Sequence, residues 1–271
     1  MKIAALQMVS SPRWSDNRDS ARALLEQAAA QGVELAVLPE YFGAVGARDG
    51  DKLALREEEG AGPMQDFLAR SARELGLWIV GGTLPLACDA PGKVRNTSLV
   101  YAPDGACVAR YDKIHLFRFA QGSEQYDEGR VIEAGGAPVQ FRLSSRAGAS
   151  WCVGLSVCYD LRFPELFRAH ARAGADLLLV PSAFTHTTGQ AHWEVLLRAR
   201  AIENQAYVLA PAQGGRHETG RRTWGRSMLV DPWGEVLALQ AEGPGLVVGT
   251  LDAQRLQQVR TQLPALAHRV L

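Results

Sequence analysis

This chain says the same thing twice. The segment GVELAVLPEYF (32–42) is echoed by GADLLLVPSAF (174–184): a glycine, an acidic residue, an apolar run, a proline and a closing phenylalanine. SLVYAPDGACV (98–108) is echoed in the same order by SMLVDPWGEV (227–236), with one residue deleted. Around both echoes, strand-like runs alternate with helix-like ones. KIAALQMV is a strand, 16–31 a helix closed by Gly32, and VELAVLP a buried strand. Residues 63–75 form a helix ended by Gly76, LWIVGGTL is a strand, and TSLVYAPDGACVARY turns as a hairpin at Pro103-Asp104-Gly105. The order then recurs: strand 151–158, helix 164–173, strand ADLLLVP, helix 190–204, strand AYVLAPA, hairpin SMLVDPWGEVLAL. Each half offers an apolar sheet that needs cover. The simplest burial packs the two sheets face to face with helices outside. The expectation is an α/β fold, a four-layer α-β-β-α sandwich with an internal pseudo-twofold repeat. No linker, low-complexity tract or charge block separates the halves, so residues 1–271 read as one domain.

Charge and cysteine usage narrow the function classes. With 29 basic and 29 acidic residues the formal net charge is zero, which argues against nucleic acid or an anionic membrane as partner. The apolar stretch in MKIAALQMVS is too short for a signal-peptide core. No run reaches the roughly 18 apolar residues of a membrane span. Cys88, Cys107, Cys152 and Cys158 show no CxxC spacing, which points to a reducing, cytoplasmic chain without a disulfide framework. His186 and His192 are six apart and do not share a helical face, so no metal site is expected there, and no cofactor elsewhere.

Cys158 carries the chemistry. In SWCVGLSVCYDLRFPEL an apolar strand ends at Cys158, the chain turns polar through Tyr159, Asp160 and Arg162, and Pro164 opens a helix. A strand that bends sharply into a helix presents its side chain at the carboxyl edge of a sheet, where α/β proteins bind ligands. The alternative is a buried cysteine acting as a small hydrophobe. The first repeat places a carboxylate, Glu40, where the second places Ser182. A carboxylate at the end of a buried strand is costly unless paired or used; the alternative is a side chain turned to solvent. Lys113 is one of four lysines among 29 basic residues, set beside Ile114 and Leu116. In a chain that otherwise prefers arginine, its compact ammonium has a reason to be there, unless composition alone placed it. Together the three suit acyl transfer: a cysteine nucleophile, a glutamate taking its proton, and a lysine with a backbone N–H holding the oxyanion.

LPE around Glu40, YDKIHL around Lys113 and GLSVCYDLRFPEL around Cys158, in this order, resemble the nitrilase (carbon–nitrogen hydrolase) superfamily nearly end to end. The resemblance implies a Glu40 general base, a Lys113 oxyanion stabiliser aided by the Tyr159 N–H, a Cys158 nucleophile and a homodimer. It also implies an auxiliary glutamate in YDEGRVIEAG, placed at Glu128 with Glu124 as the alternative. PSAFTHTTGQAHWEVLLRARAIENQAYVLAPAQGGRHE is similar to the Nit branch, which holds the omega-amidases and deaminated-glutathione amidases; AQGGRHE is similar to the latter. The resemblance thus implies a small-molecule substrate, an ω-amide carrying a carboxylate. Arg162, four residues after the nucleophile, and Arg216 in GGRHE are the candidate carboxylate partners. The alternative for Arg162 is an ion pair with Asp160 or Glu165. An N-carbamoyl amino-acid or amine hydrolase, a nitrilase and a catalytically silent binding protein of the same fold remain as other readings.

Overall fold

The computed structural model of the protein describes residues 1–122 and 124–270. Its first half runs β1 (Lys2–Gln7), α1 (Trp14–Ala30), β2 (Leu35–Val37), α2 (Asp51–Ala54), α3 (Pro63–Leu75), β3 (Trp78–Val80), β4 (Leu84–Ala87), β5 (Val94–Tyr101), β6 (Cys107–Asp112). A small ribbon, β7 (Arg118–Gln121) and β8 (Glu124–Asp127), and the edge strand β9 (Gln140–Ser144) lead into the second half. That half runs β10 (Ser150–Leu155), α4 (Pro164–Arg172), β11 (Leu177–Leu179), α5 (His186–Asn204), β12 (Tyr207–Ala210), β13 (Gly214–Arg216), β14 (Arg222–Trp224), β15 (Ser227–Val230), β16 (Val236–Gln240). Strand β17 (Gly245–Thr250) and α6 (Ala253–Gln262) close the chain.

The two large sheets have one topology. In the first, β17-β1-β2-β3-β5-β6 lie side by side with β4 also against β5; in the second, β9-β10-β11-β12-β15-β16. In each, three parallel strands are flanked by an antiparallel edge on one side and an antiparallel hairpin on the other. Even the irregularities repeat: the ladder slips between Val100 and Tyr101 and again between Leu229 and Val230. Both hairpins close on a glycine with positive φ, Gly105 and Gly234. Their N–H groups bond the carbonyls of Ala102 and Asp231 at 2.8 and 2.9 Å. The one-residue deletion read from the sequence is therefore not in the turn, because the seven residues from Tyr101 to Cys107 correspond one for one with Val230 to Val236.

Period-two alternation builds the layers. Ile3, Ala5, Leu35, Val37, Val80 and Val100 point from the first sheet into a core shared with Val153, Leu155, Leu177, Leu179, Leu209 and Leu229 of the second. The intervening Ala4, Leu6, Ala36, Leu38 and Ile79 face away, onto Leu24, Leu25 and Ala28 of α1 and Phe67 and Leu68 of α3. Trp193, Leu197 and Ala201 of α5 and Phe167 of α4 cover the outer side of the second sheet. Helix α3 has the expected bounds, with Pro63 in its first turn and Gly76 left-handed at its end. Helix α5 begins four residues earlier than expected, because the Thr185 side chain caps it by accepting from the Thr188 N–H. The strand expected over 151–158 ends at Leu155. Beyond it Ser156 Oγ donates to the Leu179 carbonyl at 2.7 Å, and the chain coils into a 3-10 turn, Cys158–Arg162. No helix among the described residues is long and apolar enough to cross a membrane.

Candidate active site

The site sits where the carboxyl ends of the two sheets meet. Glu40 follows β2 through Leu38 and Pro39, with Gly82 packed so tightly on the Pro39 carbonyl that a side chain there would collide at 2.0 Å. Lys113 follows β6, and its N–H bonds the Asn96 carbonyl of β5 at 3.0 Å. Cys158 opens the 3-10 turn after β10, and its N–H bonds the Pro181 carbonyl at 2.9 Å. Cys158 and Tyr41 are both held left-handed, at φ 49° and 56°. Neither is a glycine, so the surrounding fold must hold the strain.

Lys113 joins two carboxylates. Its Nζ lies 2.9 Å from Glu40 Oε1, and 2.8 and 3.0 Å from Oε2 and Oε1 of Glu128. All three side chains are buried. Asn96 Nδ2 donates to Glu40 Oε1 at 2.9 Å, and the Ala183 N–H donates to Glu40 Oε2 at 2.9 Å. Ala183 stands one residue past Ser182, the repeat-mate of Glu40, so each half of the repeat supplies one partner of this contact. Glu128 also takes the Tyr41 hydroxyl at 2.6 Å and the Phe117 N–H at 2.8 Å.

The electrostatics follow from this packing. Burial would lower the Lys113 ammonium, but the charges of Glu128 and Glu40 outweigh it and hold Lys113 well above the usual lysine range. Burial would raise Glu128, but Lys113 outweighs it and keeps Glu128 below the usual carboxylate range. The Cys158 thiol is pushed well up, first by burial and then by the charge of Glu40. The cysteine therefore rests as a neutral thiol beside a carboxylate, and its activation needs a base at the moment of attack.

A narrow cavity of about 30 Å³ opens onto Cys158, lined also by Glu40, Glu128, Tyr159 and Arg162. The structure thus brings together Glu40, Lys113, Glu128, Cys158, Tyr159 and Arg162. The side chain of Glu124, the alternative auxiliary glutamate, lies outside the described residues. Arg162 pairs with neither Asp160 nor Glu165. Its guanidinium stacks near the Tyr159 and Phe184 rings and meets His192 Nδ1 at 3.2 Å. Asp160 instead takes the Tyr111 hydroxyl at 2.6 Å, the Val157 N–H at 2.8 Å and the His115 ring at 2.7 Å. This buried carboxylate ties the turn of Cys158 to the segment that follows Lys113. Arg216 is not brought to the cavity: it is exposed on β13, while Arg221, across the hairpin, lines the cavity wall. A larger cavity of about 260 Å³ shares Tyr41 as a wall and includes Lys52, but not Cys158.

Sequence reasoning missed Tyr41, Asn96, Asp160 and Arg221 as members of the site. Asn96 left a readable signal, an amide inside the strand run VRNTSLVY, and Asp160 another, a charge two residues past Cys158. Tyr41 and Arg221 left none that separates them from other aromatic and basic residues.

The carbon–nitrogen hydrolase family model matches residues 2–261. The chain belongs to that family. Carbon–nitrogen hydrolases with similar sequences include a Synechocystis deaminated glutathione amidase, 43% identical over 98% of this chain and 97% of its own length. Human omega-amidase NIT2 is 36% identical over 97% of this chain and 92% of its own length. The C. elegans NitFhit protein has the same fold, with a TM-score of 0.87 and 36% identity; it covers 99% of this chain, which spans 65% of that protein's length. This carbon–nitrogen hydrolase is therefore a Nit-branch enzyme that hydrolyses C–N bonds.

Proposed function

We propose that the enzyme hydrolyses small ω-amides that carry a carboxylate, through a thioester on Cys158. Glu40 takes the thiol proton as Sγ attacks the amide carbon. The negative charge that develops on oxygen meets Lys113 and the Tyr159 N–H. An ammonium has three donors; one serves Glu40 and one is shared between the two oxygens of Glu128, which leaves a third for the oxyanion. Glu40 returns its proton to the departing nitrogen, the C–N bond breaks and the thioester remains. Water then gives a proton to Glu40 as it attacks the thioester carbon, and the acid leaves as Cys158 regains its hydrogen. Glu128 holds Lys113 charged and in place. Residues 1–271 act as one catalytic unit without a metal or cofactor.

The observation that carries the substrate class is Arg162. It shares the turn of the nucleophile, lines the cavity mouth, and has no carboxylate within ion-pair distance among the described residues. A guanidinium without a carboxylate partner among the described residues, beside the proposed nucleophile, suits a substrate carboxylate. The names of the relatives support two such substrates, deaminated glutathione and an ω-amide; 2-oxoglutaramate serves as the ω-amide. A panel of these two, N-carbamoyl amino acids, neutral aliphatic amides and nitriles tests the proposal. Faster turnover of neutral amides or nitriles than of either acid amide would overturn it. Arg162→Lys is expected to raise KM for the carboxylated amides and to spare neutral ones.

The four free thiols suit a reducing, cytoplasmic setting. A homodimer is supported by exposed apolar residues on one side of the molecule. Val195 and Ile202 project from α5, and Ile202 packs against Gly234 of the turn that carries exposed Trp233.

A further inference from the structure

The cavity over Cys158 has room for the reacting carbonyl and little more, at about 30 Å³. Whatever else a substrate carries must lie along its mouth. Two guanidiniums stand there, and they come from different parts of the fold. Arg162 belongs to the Cys158 turn and rests on the Tyr159 and Phe184 rings. Arg221 ends the turn between β13 and β14 and rests on the Tyr126 ring, 5.5 Å from its centroid. Tyr126 packs in turn on Phe117, whose N–H holds Glu128. Like Arg162, Arg221 has no carboxylate within ion-pair distance among the described residues, whereas its chain neighbour Arg222 reaches Glu242 at 3.7 Å.

Two guanidiniums that line one small cavity and have no carboxylate partner among the described residues suit a second anionic group on the ligand. The catalytic cluster cannot fill that role. Lys113 lies between Glu40 and Glu128, and donors from Asn96, Ala183, Tyr41 and Phe117 occupy much of what remains on the two carboxylates. The first turn of α5, which brings Thr185 and Thr188 to the same cavity, contains no acidic residue. Arg162 shares a rigid turn with the nucleophile, so it is suited to hold the half of the substrate that stays attached to Cys158. Arg221 stands on a separate hairpin and is suited to the half that leaves.

We propose that Arg221 is a specificity residue that binds a carboxylate on the amine half of the substrate, so that the enzyme prefers amides bearing an acid at both ends. The proposal rests on the amidase reading above and names its substrate class more narrowly. It replaces Arg216, the second carboxylate partner the sequence offered, with the arginine that reaches the cavity.

Three amides with the same 2-oxoglutaryl acyl half test it. One releases ammonia (2-oxoglutaramate), one releases cysteinylglycine (deaminated glutathione), and one releases cysteinylglycine amide, whose acid is capped. Wild type should show a kcat/KM at least tenfold higher for the free dipeptide acid than for its capped form. Arg221→Ala and the longer Arg221→Gln should raise KM for deaminated glutathione at least tenfold. Both should remove the preference over the capped amide and raise KM for 2-oxoglutaramate by a clearly smaller factor than for deaminated glutathione. Loss on all three substrates alike, or unchanged KM for deaminated glutathione, would overturn the role of Arg221 while leaving the amidase reading intact. If wild type cleaves none of the three, the amidase reading fails and the role of Arg221 with it.

Discussion

The hydroxyl of Tyr41 lies 2.6 Å from Glu128 Oε1. Burial and the charges of Glu128 and Glu40 hold that phenol well above its usual range, so it acts as a donor. With Lys113 at both carboxylate oxygens and the Phe117 N–H at Oε2, every oxygen of Glu128 has two donors. Glu40 is less saturated: among the described residues its Oε2 takes the Ala183 N–H alone. Two carboxylates on one ammonium are thereby given different work. The geometry suits Glu128 to a fixed counter-charge, and the proposed base Glu40 to taking a proton.

Glu128→Gln should keep the shape and lose the charge. Turnover is expected to fall on the order of 100-fold, and stability at neutral pH by about 3 kcal/mol, as when one partner of a buried ion pair is removed. The pH dependence has a definite sign. A carboxylate depressed on folding stabilises above its unfolded value of about 4.5, and that contribution fades as pH falls through the folded value. Melting curves of wild type and variant should converge as pH drops from about 6 toward 3. A constant gap across that range would contradict the ion-pair account.

Cys158 is predicted to be a resting thiol. Its alkylation by iodoacetamide should accelerate steadily from about pH 6 to 9, since burial and Glu40 both disfavour the thiolate. A rate that is already flat by pH 7 would mean a preformed thiolate and would remove the need for Glu40 as base.

Lys113→Arg is expected to lose on the order of 100-fold or more in kcat. The planar guanidinium is too large for a fully buried point contacted by Glu40 and both oxygens of Glu128. Near-normal turnover would show that the position needs only charge.

Much of this was legible in the sequence, for physical reasons. Strand words such as GVELAVLP and GADLLLVP report burial on both faces, so the echo at 32–42 and 174–184 carried the two-sheet architecture directly. Glu40 and Cys158 were visible because a charge or thiol at the end of an apolar run is conspicuous, and Lys113 because lysine is scarce in a chain that otherwise uses arginine. What stayed hidden depends on contacts between distant segments. Glu40 meets the Ala183 amide 143 residues away, and Tyr41 meets Glu128 across 87. A backbone N–H has no identity in a sequence, and an arginine such as Arg221 differs from Arg216 only in where a hairpin points it. The small strands β7, β8, β13 and β14 were missed because none carries the apolar run that marks equally short strands such as β2 and β11.

The exposed Val195, Ile202 and Trp233 predict a homodimer. Sedimentation should give twice the chain mass at micromolar concentration, and Val195→Glu with Ile202→Glu should shift it toward monomer without lowering the melting temperature by more than a few degrees. A wild-type monomer throughout the micromolar range would reject this interface.

The central claim is covalent catalysis by Cys158 with Glu40 and Lys113. Acid-quenched mass spectrometry during turnover of 2-oxoglutaramate or deaminated glutathione tests it most directly. The account predicts one acyl adduct, mapped to Cys158 and lost with hydroxylamine, and a folded Cys158→Ala variant with neither adduct nor turnover. Steady turnover in Cys158→Ala, or an acyl adduct mapped to another residue, would contradict it.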